Sequence, residues 1–161
     1  MPGRLPFSDK EARFLKELAK HKVRFMIVGL SAANLQGAPV VTQDIDLWFQ
    51  DLSDPKIRKA LNKIGGIYVP PFGGNPPMFT GDDMALFDIV LTMSGLKGFR
   101  EEVKNTVDIP LGPYKIKALS LERIIASKKA ARRKKDLITL PVLEDTLRTL
   151  RERKENGKFS K

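Results

Sequence analysis

The sequence predicts a mixed α/β (α+β) domain: a small mixed β-sheet with helices packed on it. Helical apolar spacing alternates with short β-branched runs along the chain, so helices and strands alternate. Residues 107–109 and 114–118 are extended runs separated only by Pro110-Leu111-Gly112-Pro113, which makes a hairpin and excludes a purely parallel sheet. The 161 residues, 42% of them apolar, suffice for one core, and no internal repeat divides them.

Each element has a local cause. Behind Pro6, Ser8 caps a helix that runs to about His21, with Glu11 placed for a capping box and Phe14, Leu15 and Leu18 on one stripe. Residues 23–28 form a strand closed by Gly29, and a short helix follows to Gln36. After Gly37, Ala38 and Pro39, residues 40–49 are a second extended segment carrying Asp44 and Asp46. Asp54-Pro55 starts a helix of about ten residues that ends near Gly65-Gly66. Residues 69–83, rich in Pro and Gly, are expected to be an exposed loop with no core element. Residues 85–91 are a third strand with Asp88 at its centre, the flanks of which should be buried. Ser120 caps a long helix from 121 to about 135, and a last helix runs from about Pro141 to Glu155. Residues 1–156 read as a single domain and 157–161 as a disordered tail.

Composition removes several kinds of chemistry. With no Cys and one His, disulfides, thiolate sites and imidazole-rich metal sites are excluded, so a metal must be held by oxygen. No signal-peptide pattern opens the chain and no apolar run is long enough to cross a bilayer, so the expected location is the cytoplasm, with no membrane partner. The net charge of +10 favours phosphate-bearing partners.

Three aspartates are the most informative residues. On a strand, Asp44 and Asp46 point to one face, and Asp88 stands in so apolar a run that an unpaired carboxylate there would be costly. If the two strands are neighbours, the three acids need a hard divalent cation, Mg²⁺ or Mn²⁺, among them. Gly29, at a strand-to-helix turn with Ser31 nearby, is a candidate anion cradle. Between Arg123 and Lys135 lie seven basic residues and no acid. Lys128 falls on the buried stripe of Leu121, Ile124 and Ile125; it and Arg133 are expected to touch phosphate, whereas Lys129, Arg132 and Lys134 cover surface. His21 is placed to meet helix-end carbonyls, and Trp48, on the Asp46 face, is expected in the core.

Gly29-Leu30-Ser31-Ala32, Thr42-Gln43-Asp44-Ile45-Asp46 and Phe87-Asp88-Ile89-Val90 together resemble the minimal nucleotidyltransferase pattern of the DNA polymerase β superfamily. The segment from Ser120 through Lys128 to Arg133-Lys134-Lys135-Asp136-Leu137 is similar to a later motif of the AbiEii-type bacterial nucleotidyltransferases, in which a lysine, an arginine and an aspartate recur. The resemblance implies a nucleotidyltransferase-like fold and metal-dependent transfer of a nucleotidyl group from an NTP, such as ATP, to a hydroxyl. It implies that Asp44, Asp46 and Asp88 hold metal, that Asp88 acts as base, and that Gly29, Ser31, Lys128 and Arg133 bind the triphosphate. RNA such as tRNA is the favoured acceptor, with a protein or small molecule next and a cognate toxin or antitoxin as a partner. Leu30 replaces a Gly or Ser of the pattern and Val40 an Arg, which favours the alternative of a noncatalytic RNA- or partner-binding module.

Overall fold

The computed structural model describes residues 7–81, 84 and 86–159. Helix α1 (Asp9–Lys20) opens with the capping box: Ser8 Oγ accepts from the Glu11 N–H at 3.1 Å, and Glu11 Oε1 accepts from the Ser8 N–H at 2.7 Å. At its other end His21 Nδ1 lies 2.8 Å from the Glu17 carbonyl oxygen. There follow β1 (Phe25–Val28), α2 (Gly29–Leu35), β2 (Ile45–Phe49), α3 (Pro55–Asn62) capped by Asp54, β3 (Ile67–Val69) and β4 (Met78–Thr80). The second half holds β5 (Phe87–Val90), α4 (Phe99–Glu102), β6 (Thr106–Leu111), β7 (Tyr114–Leu119), α5 (Leu121–Ala131) and α6 (Lys134–Phe159).

Five strands form one sheet in the order β5-β2-β1-β7-β6. It is mixed, because β1 runs antiparallel to β2 and parallel to β7, β2 runs parallel to β5, and β6 and β7 form the expected antiparallel hairpin. Strand β1 is buried at all four positions, as a central strand covered on both faces must be. Phe25 meets Phe49 on one face, and Phe49 and Phe14 of α1 both pack edge-on against Phe79. On the other face Trp48 packs edge-on against Phe99 of α4 with centroids 6.0 Å apart, so this tryptophan belongs to the core. Alternation puts Asp46 on that second face, beneath α5 and α6.

Several expectations are corrected. Strand β2 begins at Ile45, so Asp44 precedes the strand rather than lying in it. Part of the expected loop is an antiparallel pair, β3 with β4, and Phe79 is only 2% exposed among Phe14, Phe49 and Tyr68. Its Pro- and Gly-rich tip, residues 70–76, is exposed throughout, as are Met78, Thr80 and Gly81. Asp88 is exposed, because β5 is the edge strand of the sheet and its neighbours Ile89 and Val90 are only half-buried. Helix α5 stops at Ala131, where Arg132 takes a left-handed conformation (φ +53°), and α6 starts at Lys134 with Pro141 inside it rather than at its head. Pro6, Asp83, Ala85 and the last two residues of the expected tail, Ser160 and Lys161, lie outside the described residues. Among the described residues no helix is long and apolar enough to cross a membrane.

Candidate active site

Parallel pairing of β2 with β5 sets Asp46 directly opposite Asp88. Asp44, one residue before β2, joins them, and all three line a cavity of about 550 Å³. Loss of water on burial, then the charges of Asp88 and Asp44, push the Asp46 carboxyl from its ordinary 3.8 up to about 6, against the pull of Lys128 and Lys135. Asp88 is raised too, first by desolvation, then by the charge of Asp44 and a carboxyl–carboxyl hydrogen bond with it. Three acids thus share a site in which mutual repulsion opposes full ionisation.

Gly29 sits at the head of α2 with φ +67°, and a Cβ built there would collide with Asp46 Oδ2. Both the left-handed backbone and the close approach of a carboxylate require glycine. Ser31 is placed differently from the expectation of a phosphate contact. It does not line the cavity; its buried hydroxyl donates to the Val28 carbonyl at 2.8 Å and accepts from the Asp46 N–H at 3.2 Å, tying α2 to the carboxylate strand. Gly29→Ala is therefore expected to cost about 1–2 kcal/mol in backbone strain and to push the Asp46 carboxylate out of line. Thermal melting and nucleotide titration check this; an unchanged melting temperature with unchanged nucleotide affinity would refute the reading of Gly29.

The opposite wall is cationic. Lys128, Arg133 and Lys135 line the cavity, and Leu30 contributes a half-buried apolar side chain beside Gly29. What orients the cations is Asp136, which is completely buried (0% exposed). Its carboxylate accepts from Lys128 Nζ at 3.1 Å, from Arg133 Nε at 2.8 Å and Nη2 at 3.3 Å, and from the Arg133 backbone N–H at 3.1 Å. Burial alone would raise this carboxyl, but the bonds from Arg133 and Lys128 prevail and hold it at about 2. Arg123 is turned away from the cavity by a second buried acid, Glu102, which accepts from its Nε at 2.9 Å and Nη2 at 2.7 Å. The basic stretch 123–135 is thus largely paired with acids from other elements, Lys129 also lying 3.8 Å from Glu144.

Asp136 is the residue of this cluster that spacing and charge alone did not mark, because it follows seven cations and reads as one more surface charge. Thr42, the first residue of the aspartate motif, also lines the cavity, as do Thr92, Ser94 and Thr139, which carry no sequence signal. A second groove of about 500 Å³, lined by Val40, Val41 and Leu86 among others, shares Thr42 and Asp44 with the first and has no Lys or Arg on its walls.

The donor set suits a hard cation: all ligating atoms are carboxylate oxygens that repel one another without one. Among the described residues no three metal-ligating side chains converge closely enough to hold an ion by themselves. That is compatible with Mg²⁺, which commonly takes one or two carboxylates and completes its shell with substrate phosphates and water.

No protein-family model matches the chain, and no curated protein sequence matches it. Solved structures do. The crystal structure of ANT(2'')-Ia in complex with adenylyl-2''-tobramycin superposes with a TM-score of 0.56 at 14% identity over 84% of this chain and 86% of that one. The solution structure of the antibiotic-resistance factor ANT(2'')-Ia gives 0.55 at 14% identity over 92% of each chain. An antigenic nucleotidyltransferase-like protein from Paracoccidioides brasiliensis gives 0.47 at 16% identity over 90% of this chain and 87% of that one. The first two likenesses, at such low identity, speak for architecture alone: this chain has the nucleotidyltransferase fold.

Proposed function

We propose that the protein is a metal-dependent nucleotidyltransferase that moves a nucleotidyl group from an NTP to a hydroxyl acceptor. The observation that carries this reading is Asp46 opposite Asp88, with Asp44 beside them, across a cavity from Lys128, Arg133 and Lys135. Asp88, its carboxyl raised by desolvation and by Asp44, takes the proton of the attacking hydroxyl. The hydroxyl oxygen bonds to the α-phosphorus as the in-line bond to pyrophosphate breaks, and Lys128 and Arg133 hold the charge that leaves. Gly29, on the cavity wall beside Asp46, leaves room for the phosphates where any side chain would collide with that carboxylate. Asp46, with Asp88 or Asp44 beside it, would hold a divalent cation, Mg²⁺ or Mn²⁺, which would supply charge neutralisation at the reacting phosphate.

RNA, a tRNA end included, is the acceptor favoured by the net charge of +10, although pairing within 123–135 leaves chiefly Arg132 and Lys134 to meet a backbone. The adenylyl-2''-tobramycin in the neighbouring structure supports a small hydroxyl compound as the next candidate, ahead of a protein side chain. The AbiEii-type resemblance supports a place in a toxin–antitoxin pair in the cytoplasm. Leu30, on the cavity wall where a nucleotide would lie, favours a second reading: a noncatalytic RNA- or partner-binding module on the same fold.

Labelled NTPs, Mg²⁺ or Mn²⁺, and pools of cell RNA and of small hydroxyl compounds decide between them. Transfer of label that stops when the metal is chelated is expected. Absence of transfer, together with absence of NTP binding that depends on Asp44 and Asp46, would remove the catalytic reading. RNA or partner binding that survives Asp46→Asn and Asp88→Asn without any transfer would establish the second.

A further inference from the structure

A third groove, of about 450 Å³, lies at the end of the sheet away from the carboxylates, where β1 begins and β2 ends. Its floor is apolar, formed by Phe25, Phe99 and Ile116. Its rim is cationic. Arg24 before β1, Lys104 after α4, and Lys115 and Lys117 of β7 come from three places in the chain to one opening, and no acidic residue lines it. Lys117 has Asp108 at 3.6 Å, but among the described residues no carboxylate pairs with Arg24, Lys104 or Lys115. Like charges gathered around an apolar pit repel one another, and that repulsion is relieved by a bound anion.

We propose that this groove docks an acidic segment of a partner protein, with one bulky apolar side chain in the pit and flanking carboxylates on the lysine rim. The pit accommodates an anchor of the kind that dominates peptide interfaces, and the rim sets the charge of its flanks. A single-stranded nucleic acid matches the charge but not the surface, since it needs exposed rings for its bases to stack on. Phe25 and Phe99, at 7% and 8% exposure, reach the surface only at the floor of the pit and offer no open platform for a run of bases. The proposal is independent of the nucleotide reading, as it uses none of the residues at the carboxylate end.

Fluorescence anisotropy on the full chain tests it, with a labelled random Glu/Tyr copolymer as probe and polyglutamate and oligo(U) as comparisons. The copolymer is expected to bind the wild type more tightly than polyglutamate does. Lys104→Glu/Lys115→Glu is expected to weaken copolymer binding at least tenfold. Lys59→Glu/Lys63→Glu, the same charge change on exposed residues in and just after α3, is expected to weaken it less than twofold. Independently of any variant, lysine-reactive footprinting of the wild type is expected to show Lys104 and Lys115 protected by the copolymer. Equal losses in the two double variants, polyglutamate binding as tightly as the copolymer, displacement of the copolymer by oligo(U), or no protection of Lys104 and Lys115 would each overturn the proposal.

Discussion

Asp46→Asn is expected to lower nucleotidyl transfer by at least about 10³-fold, roughly 4 kcal/mol of transition-state stabilisation, while making the metal-free protein more heat-stable at pH 8. The two effects share one cause. Asp46 is held at about 6 by burial and by the charges of Asp88 and Asp44, so its ionised form is disfavoured in the folded state unless a cation balances it. The folded carboxyl keeps its proton up to about pH 6, whereas the unfolded one loses it near its ordinary 3.8. The contribution of Asp46 to metal-free stability is therefore highest below that lower value, falls as pH rises through the interval, and stays reduced above it. Asparagine has no such titration. Its melting temperature is expected to exceed that of the wild type by a few degrees at pH 8, at about 2–4 °C per kcal/mol for a chain of this size, and to converge with it near pH 4. Mn²⁺ should narrow the difference at pH 8 by stabilising the wild type alone. An asparagine variant that melts below the wild type at pH 8, without metal, would contradict this account of the carboxylates.

Asp136→Asn is expected to have the largest effect on stability of any single polar substitution in the site, a loss of about 3–5 kcal/mol. The carboxylate is fully buried and serves two cations and a backbone N–H, and its removal leaves Lys128, with 12% of its side chain exposed, without a counter-charge. The sign of its pH dependence is opposite to that of Asp46. A carboxyl held near 2 contributes stability that is present above its ordinary value of 3.8 and is lost as pH falls toward 2, so the gap between wild type and variant should close in acid. Nucleotide affinity should fall as well, because Asp136 fixes the ammonium of Lys128 and the guanidinium of Arg133 at the cavity wall. Calorimetric melting and nucleotide titration measure the two effects. A variant as stable as the wild type would show that the cations hold their places without this anchor.

Both expectations depend on groups whose positions are differently legible in the chain. The start of α1 is written locally: Ser8 and Glu11 satisfy each other's backbone N–H groups within four residues, and the structure shows that box. Ser120 at the head of α5 and the hairpin of β6 with β7 are equally local. Asp44 was harder, since residues 40–43 are β-branched and polar in the manner of a strand, yet find no neighbour to pair with; Ile45 is the first to do so. Phe79 was hidden among prolines and glycines, and its burial depends on Phe14 and Phe49, far away in sequence. Pro141 read as a helix start because its ring suits a first turn. The helix instead begins at Lys134, where Asp136 is drawn inward by Lys128 and Arg133, and Leu140 and Leu143 continue the buried side.

The sequence by itself determined where α1 and α5 begin and where the β6–β7 hairpin turns, that a metal would need oxygen ligands, and which three acids deserved comparison, because caps, turns and residue chemistry act over a few positions. Only the tertiary structure decided that Asp46 faces Asp88, that Asp88 lies on an open edge, and that Asp136 and Glu102 neutralise cations from another helix. Strand register and the pairing of charges between elements are set by packing across long stretches of chain, and neither leaves a periodic trace in any one segment.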